Sequence, residues 1–250
     1  MEINVKTVYL RFYEELNDFL STLKKKTRFE HNFIDRTSVK DLIESFGVPH
    51  TEIDLILVNG KSVSFDYIIN DKDDISVYPV FESFDISDVQ KLRAGPLRDP
   101  KFICDVHLGK LAKNLRMLGL DTFYKNSITK NEIVLTSMNE NRVILTRDGG
   151  LLKIKNVTHG YYIRNTDPIK QTSEVINRFH LEKTMKRFSR CLRCNTVLKT
   201  VQKEMIMERI PEKVKASQDE YFICSNCDRI FWKGTHYKNM LIKIESLIKS

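Results

Sequence analysis

The sequence predicts an α/β protein in three parts: a small mixed sheet, a parallel sheet with helices on both faces, and a compact cysteine-bearing module. Three observations predict it. Strand patterns surround one short helix in the first eighty residues, strand and helix patterns alternate from residue 101, and four of the five cysteines form two Cys-x-x-Cys pairs near the C-terminus. The chain has 250 residues, 41% hydrophobic and 30% charged. That is long enough for two or three small domains and too apolar for a disordered tail.

The head opens on alternation. Thr7, Tyr9 and Arg11 interleave with Val8, Leu10 and Phe12, the period of a strand with one buried face. Phe29 to Ile34 is a second strand pattern. Thr37 or Ser38 caps a short helix, in which Val39, Leu42, Ile43 and Phe46 recur at helical spacing and Gly47 ends the run. Ile53 to Val58 is another strand, Asn59-Gly60 a hairpin signal, and Ile75 to Val80 the last strand. Strands, a helix and further strands in this order describe a ubiquitin-like β-grasp, assigned to residues 1–84. With the stretch "LILVNGKSV", the head resembles the small sulfur-carrier proteins of thiamin and molybdopterin synthesis. A carrier needs a free C-terminal diglycine. Here the domain runs into Val80-Phe81-Glu82-Ser83-Phe84 and the chain continues, so the head reads as a docking or scaffolding domain for a protein partner. Residues 85–100, with Arg93, Gly95, Pro96, Asp99 and Pro100, have linker composition.

The central part is assigned to 99–182. Phe102 to Val106 is a short buried strand. Leu108, Leu111, Ala112, Leu115 and Leu118 mark a helix closed by Gly119. Asp121 to Lys125 is a second strand, 130–140 a second helix, Arg142 to Thr146 a third strand and Gly160 to Arg164 a fourth. Asp167-Pro168 opens the helix Ile169–Phe179, with Asp as cap and Pro in the first turn. Such alternation implies a mostly parallel sheet.

Ligands bind at the carboxyl ends of the strands in open parallel sheets. Asp105 ends the first strand, Asp148 follows the third, and Glu132, beside Asn131, opens the helix after the second. These acids can converge on one edge. Oxygen donors without histidine or thiolate suit Mg²⁺ or Mn²⁺, ions that promote phosphodiester hydrolysis. Acids at strand ends also cap helices and form turns. That reading is better for Asp167 and as good as the ligand reading for Asp148, which precedes Gly149-Gly150. Asp121 begins its strand on the opposite edge and reads as structural. Lys110, Lys113 and Arg116 on the first helix, and Arg147 beside Asp148, can bind flanking phosphates. For Lys110 and Lys113 a solvated helix face explains the pattern equally well. Tyr161, Tyr162 and Trp232 can stack bases, although the first two, as strand aromatics, are more often core. His107 can touch substrate but reads better as a surface residue, and Cys104 reads as a small core residue.

The tail, 183–250, carries Cys191-x-x-Cys194 and Cys224-x-x-Cys227, separated by 29 residues, and a basic C-terminal helix. The first ten residues are charged and alternating, and no apolar run approaches the ~18–20 residues of a membrane span. The expectation is a cytoplasmic chain with no membrane partner. In a reducing compartment two matched pairs fit a tetrahedral Cys₄ zinc site, closed and structural. Asn195 and Asp228, each just after a pair, suit tight turns. His236 can support the site or contact RNA.

Charge divides the chain. Residues 1–85 carry 10 Lys+Arg against 16 Asp+Glu, a net −6, and residues 86–250 carry 31 against 17, a net +14. A basic body attracts polyanions, nucleic acid first among them.

The stretches "FICDVHLGKLAKNLRMLGLDT", "RVILTRDGGLL", "CLRCN" and "CSNCDRIFWKGTHY" resemble PIN-like ribonucleases of the Mut-seven C-terminal type, over about 99–245. The resemblance implies a PIN-like fold, a metal-dependent acidic site, RNA as substrate, an appended zinc ribbon and, as in several relatives, a preceding ubiquitin-like domain. Carried over, Asp105 is the first-strand acid and Asp148 the acid of the Thr-x-Asp strand end. Relatives usually place an aspartate where Asn131 stands. Either Glu132 substitutes, or Asn131 coordinates through its carbonyl, or the site is weakened. The expected function is a metal-dependent ribonuclease using Asp105, Asp148 and Glu132 or Asn131. The alternatives are a non-catalytic RNA- or ribosome-binding module and a sulfur-transfer adaptor.

Overall fold

The computed structural model describes residues 5–79, 92 and 100–249. Val80 to Phe84, most of the linker, and the boundaries placed at 84 and 99 lie outside the described residues. The chain divides into two compact units, one built from Met1–Arg98 with Asp148–Tyr162, the other from Asp99–Arg147 with Ile163–Ser250.

The first unit contains β1 (Lys6–Phe12), β2 (Phe29–Phe33), α1 (Val39–Ser45), β3 (Ile53–Val58), β4 (Lys61–Ser62) and β5 (Asp74–Pro79). The sheet order is β2-β1-β5-β3-β4, with β1 and β5 parallel and the other pairs antiparallel. This mixed sheet is the expected β-grasp. Val8, Leu10 and Phe12 enter the core from β1, as their period of two requires, and meet Val39, Leu42 and Ile43 of α1. The Ser38 hydroxyl accepts from the Asp41 amide, giving α1 its cap. The charged stretch between β1 and β2 forms two short 3₁₀ turns that send Leu16 and Leu20 into the same core.

In the second unit, β6 (Lys101–Cys104) is flanked in parallel by β7 (Thr122–Phe123) and β8 (Arg142–Thr146). The connections are α2 (Gly109–Met117) and α3 (Lys130–Glu140). Phe102, Ile103, Cys104 and all of β8 are buried, the continuous apolar run of a parallel sheet covered by helices. Gly119 ends α2 at φ +87°, where an added Cβ would lie 2.1 Å from the Lys186 carbonyl oxygen. Only glycine meets both demands. β7 is shorter than the expected 121–125, because Tyr124 turns away to donate its hydroxyl to the Val106 carbonyl.

After β8 the chain passes into the first unit as α4 (Gly149–Leu152) and β9 (Gly160–Tyr162), then returns as α5 (Pro168–Arg178). Asp167 caps α5 by accepting from the Ile169 and Lys170 amides, as its place before Pro168 suggests. β10 (Lys199–Val201), β11 (Tyr221–Ile223) and β12 (Ile230–Trp232) form an antiparallel sheet. The spacer between the cysteine pairs adds a 3₁₀ helix, Lys203–Arg209, and α6 (Glu212–Lys215). α7 (Thr235–Lys249) closes the described chain. Among the described residues no helix is long and apolar enough to cross a membrane.

Candidate functional site

β6 delivers Asp105 to its carboxyl end. There Asp105 caps a 3₁₀ turn, Val106–Leu108, and is only 6% exposed. One carboxylate oxygen accepts from the His107 amide at 2.8 Å. The other accepts from the Thr146 hydroxyl and from the Arg147 amide at 3.3 Å. Parallel register sets Cys104 opposite Leu145, so the next residues, Asp105 and Thr146, meet. Burying a carboxylate is costly unless hydrogen bonds replace its water, and these donors replace it. Cys104 is wholly buried, which pushes its thiol up and leaves it inert.

Past β8, Arg147 Nη1 donates to the carbonyls of Ile163, Arg164 and Asn165 at 3.0, 2.7 and 2.6 Å. The Glu174 carboxylate takes the Arg164 and Asn165 amides. Arg147, expected on phosphate, therefore has that nitrogen committed to ordering a loop. Asp148, in the first unit, accepts from the Gly150 amide at 2.9 Å and caps α4.

Glu132 and Thr129 form a reciprocal capping box at α3. The Thr129 amide donates to Glu132 at 2.7 Å, and the Glu132 amide donates to the Thr129 hydroxyl at 3.2 Å. The bond from the Thr129 backbone holds the Glu132 carboxyl below the usual range. Its other oxygen lies 3.9 Å from Lys125. Asn131 is exposed on the same helical turn. Among the described residues, the groups of three or more His, Cys, Asp or Glu side chains close enough to share an ion do not include Asp105, Glu132 and Asp148.

Lys110, Lys113 and His107 are exposed. Arg116 is not with them. It is 4% exposed, and it donates to the Thr122 carbonyl at 2.8 Å and to the Leu192 and Arg193 carbonyls at 3.2 and 2.8 Å. The expectation that Arg116 grips phosphate gives way to a structural role, because the residue at this point of α2 faces the first cysteine turn. Tyr161 is buried, and Tyr162 packs edge-on against Phe19 at 5.2 Å. Trp232 packs on the ribbon core of Ile206, Ile210 and Tyr221.

The four paired cysteines do converge. Their sulfurs lie within 4.8 Å of one another, with Cys191–Cys227 at 3.6 Å and Cys194–Cys224 at 3.3 Å. A zinc–thiolate tetrahedron with 2.3 Å bonds has edges of about 3.8 Å, so the donor set fits zinc. The two knuckles repeat one geometry. Asn195 and Asp228 sit at φ +70° and +56°, and their amides donate to the Cys191 and Cys224 carbonyls, each at 2.9 Å. Burial pushes the Cys191 thiol up to about 12. Burial also raises Cys194, but hydrogen bonds led by that with Thr196 outweigh it and bring this thiol to about 6. His236 is exposed at the start of α7, and four thiols leave it no ligand position.

Asn195 also joins this knuckle to the parallel sheet. Its amide nitrogen donates to Asp121 at 2.7 Å, and its oxygen accepts from the Thr122 amide at 3.0 Å. Asp121 pairs with Arg142 at 2.6 Å and Arg190 at 3.4 Å, the structural role expected for it. Sequence reasoning missed Thr146, Arg142 and the Arg116 and Asn195 bridges. Only the Thr-x-Asp spelling at the end of β8 hinted at the first.

The family model described as Mut7-C RNAse domain matches residues 100–244, and that described as Mut7-C ubiquitin matches residues 5–85. No curated protein and no solved structure gave a match.

Proposed function

We propose that this chain, which belongs to the Mut7-C RNAse domain family on the strength of the match over residues 100–244, is a metal-dependent ribonuclease. The single observation that carries the reading is the Asp105 carboxylate. It is buried at the carboxyl end of β6, and its oxygens accept from the Thr146 hydroxyl and from the His107 and Arg147 amides. Asp148 follows the paired strand β8 by two residues. Mg²⁺ is commonly held by one or two carboxylates plus substrate phosphates, so we read Asp105 as one protein ligand, with Asp148 and the Asn131 carbonyl as the further oxygens that the sequence motif nominates. A divalent cation bound there would polarise the phosphodiester and supply an activated water. The protein's own part is to fix Asp105 through Thr146, and to offer Lys110 and Lys113 to flanking phosphates. Arg147, through its loop bonds, orders the approach. The four cysteines would hold structural zinc, and their thiolates suit a reducing, cytoplasmic setting.

The test is cleavage of labelled RNA by the purified chain in Mg²⁺, Mn²⁺ or EDTA, beside Asp105→Asn and Asp148→Asn. Metal-dependent cutting lost in both variants supports the reading. Cutting retained in both sinks it.

A second reading has its own observation. Glu132 is committed to a capping box, and an asparagine stands at 131. A weakened acidic site would leave an RNA-binding module, for which the same assay gives salt-sensitive binding without cutting.

A further inference from the structure

Residues Asp148–Tyr162 fall inside the RNAse match, yet they pack into the β-grasp unit. Side chains of α1 and of the turn His50–Glu52 hold them there. The His50 imidazole spans from the Glu44 carboxylate at 2.6 Å to the Val157 carbonyl at 2.7 Å. Lys153 donates to the Glu44 carbonyl at 3.0 Å. The Tyr162 amide donates to the Glu52 carboxylate at 2.6 Å. His50, Glu52 and Val157 are all buried. The segment gives the buried Glu52 carboxylate and His50 imidazole hydrogen-bond partners that burial makes costly to lose.

We infer that the ubiquitin-like unit is an intramolecular clamp whose ligand is the chain's own segment Asp148–Tyr162. His50 and Glu52 are positioning residues for the turn that begins at Asp148. The catalytic meaning of the clamp rests on the ribonuclease reading. The physical need is plain. A fifteen-residue excursion loses about 1–2 kcal/mol of backbone freedom per ordered residue. Its only side chain offered for metal is the first. Misplacing a reacting group by about 1 Å costs roughly a hundredfold in rate. Anchors at Lys153, Val157 and Tyr162 add to the order that α4 and β9 supply.

The experiment is hydrogen exchange on the full chain, alongside RNA cleavage in Mg²⁺, for wild type, His50→Ala, Glu52→Ala, Glu52→Gln and Lys153→Met. In the two alanine variants, amides of 149–162 are expected to exchange at least about tenfold faster, while β1, β5 and β6 keep their protection. The kcat falls roughly ten- to hundredfold with KM for RNA retained, and the Mg²⁺ needed for half-maximal rate rises. Glu52→Gln keeps an acceptor oxygen and recovers most of the protection. Where the alanine variants do not fold, Lys153→Met must show a smaller rise confined to 150–157. Unchanged protection of 149–162 overturns the clamp. So does loosening that spreads equally to β1 and β5, the mark of a merely structural role. A wild type that does not cut RNA sinks the ribonuclease reading alone, because the exchange pattern still decides the clamp.

Discussion

The hydroxyl of Thr146, at the end of β8, donates to the carboxylate of Asp105, at the end of β6. One side-chain bond thus joins two parallel strand ends and aims the acid proposed to hold metal. Thr146→Val keeps the β-branched shape and removes the donor. The expected result is a stability loss of about 1–3 kcal/mol and a ten- to hundredfold drop in Mg²⁺-dependent cleavage with KM for RNA little changed. Denaturant titration and steady-state kinetics check it. Full activity in the valine variant would remove Thr146 from the site.

Zinc should stabilise more than the ribbon. Arg116 and Asn195 bind the first knuckle to the β7 corner, so loss of the ion loosens both. Metal analysis is expected to find one zinc per chain, absent in Cys224→Ser. Chelation should lower the Tm of the parallel-sheet unit along with that of the ribbon. A chelated chain whose β6–β8 amides keep full protection would separate the two.

Arginine and lysine on α2 should behave in opposite ways. Arg116→Met removes the donors to the Thr122, Leu192, Arg193 and Tyr124 carbonyls and is expected to cost about 2–3 kcal/mol, with no change in the salt dependence of RNA binding. Lys110→Gln and Lys113→Gln touch exposed residues and should alter stability by under about 0.5 kcal/mol. Each should lower the salt slope of RNA binding by about 0.7. Binding isotherms at several salt concentrations, with melting curves, distinguish the roles.

Asp121 predicts an acid limb. Burial alone would raise its carboxyl, but hydrogen bonds from Arg142 and Asn195 and the charges of Arg142 and Arg190 outweigh it and hold the group below the usual carboxylate range. A depressed folded value means that the contribution is present above the unfolded value near pH ~3.9. It is lost as pH falls through the lower folded value. Wild type should therefore lose stability more steeply than Asp121→Asn between about pH 5 and pH 2. Parallel acid-denaturation curves would contradict the assignment.

Asn131→Asp tests the departure in the acidic set. It adds a carboxylate to the first turn of α3, where the helix dipole tolerates it. Cleavage is expected to rise, whereas Glu132→Gln, which can still close the capping box, should leave cleavage unchanged. The reverse pattern, measured by initial rates, would make Glu132 the ligand.

Local chemistry was legible before the fold was known. Ser38 and Asp167 announce their helices because a cap needs an acceptor at one position. Val8, Leu10 and Phe12 announce their face because a strand has period two. The cysteine pairs announce a metal because a knuckle is a short-range structure that its own backbone builds. Gly119 announced a helix end, although not the Lys186 carbonyl that forbids any other residue.

Only the tertiary structure decided what the same residue types do when partners lie far off in sequence. Arg116 and Lys113 sit on one helix with the same charge, yet one faces the cysteine turn and spends its donors on carbonyls while the other faces water. Thr146 acquires a role because parallel register brings Asp105 level with it. Asp148–Tyr162 supplies α4 and, as its pattern predicts, β9 of the alternating strand-and-helix region, but only the fold shows that Glu52 and His50, about a hundred residues earlier, bond to it. Periodicity and capping depend on neighbours within a few residues, which any sequence displays. Burial and charge pairing depend on which distant surfaces meet, and that is settled only when the chain has folded.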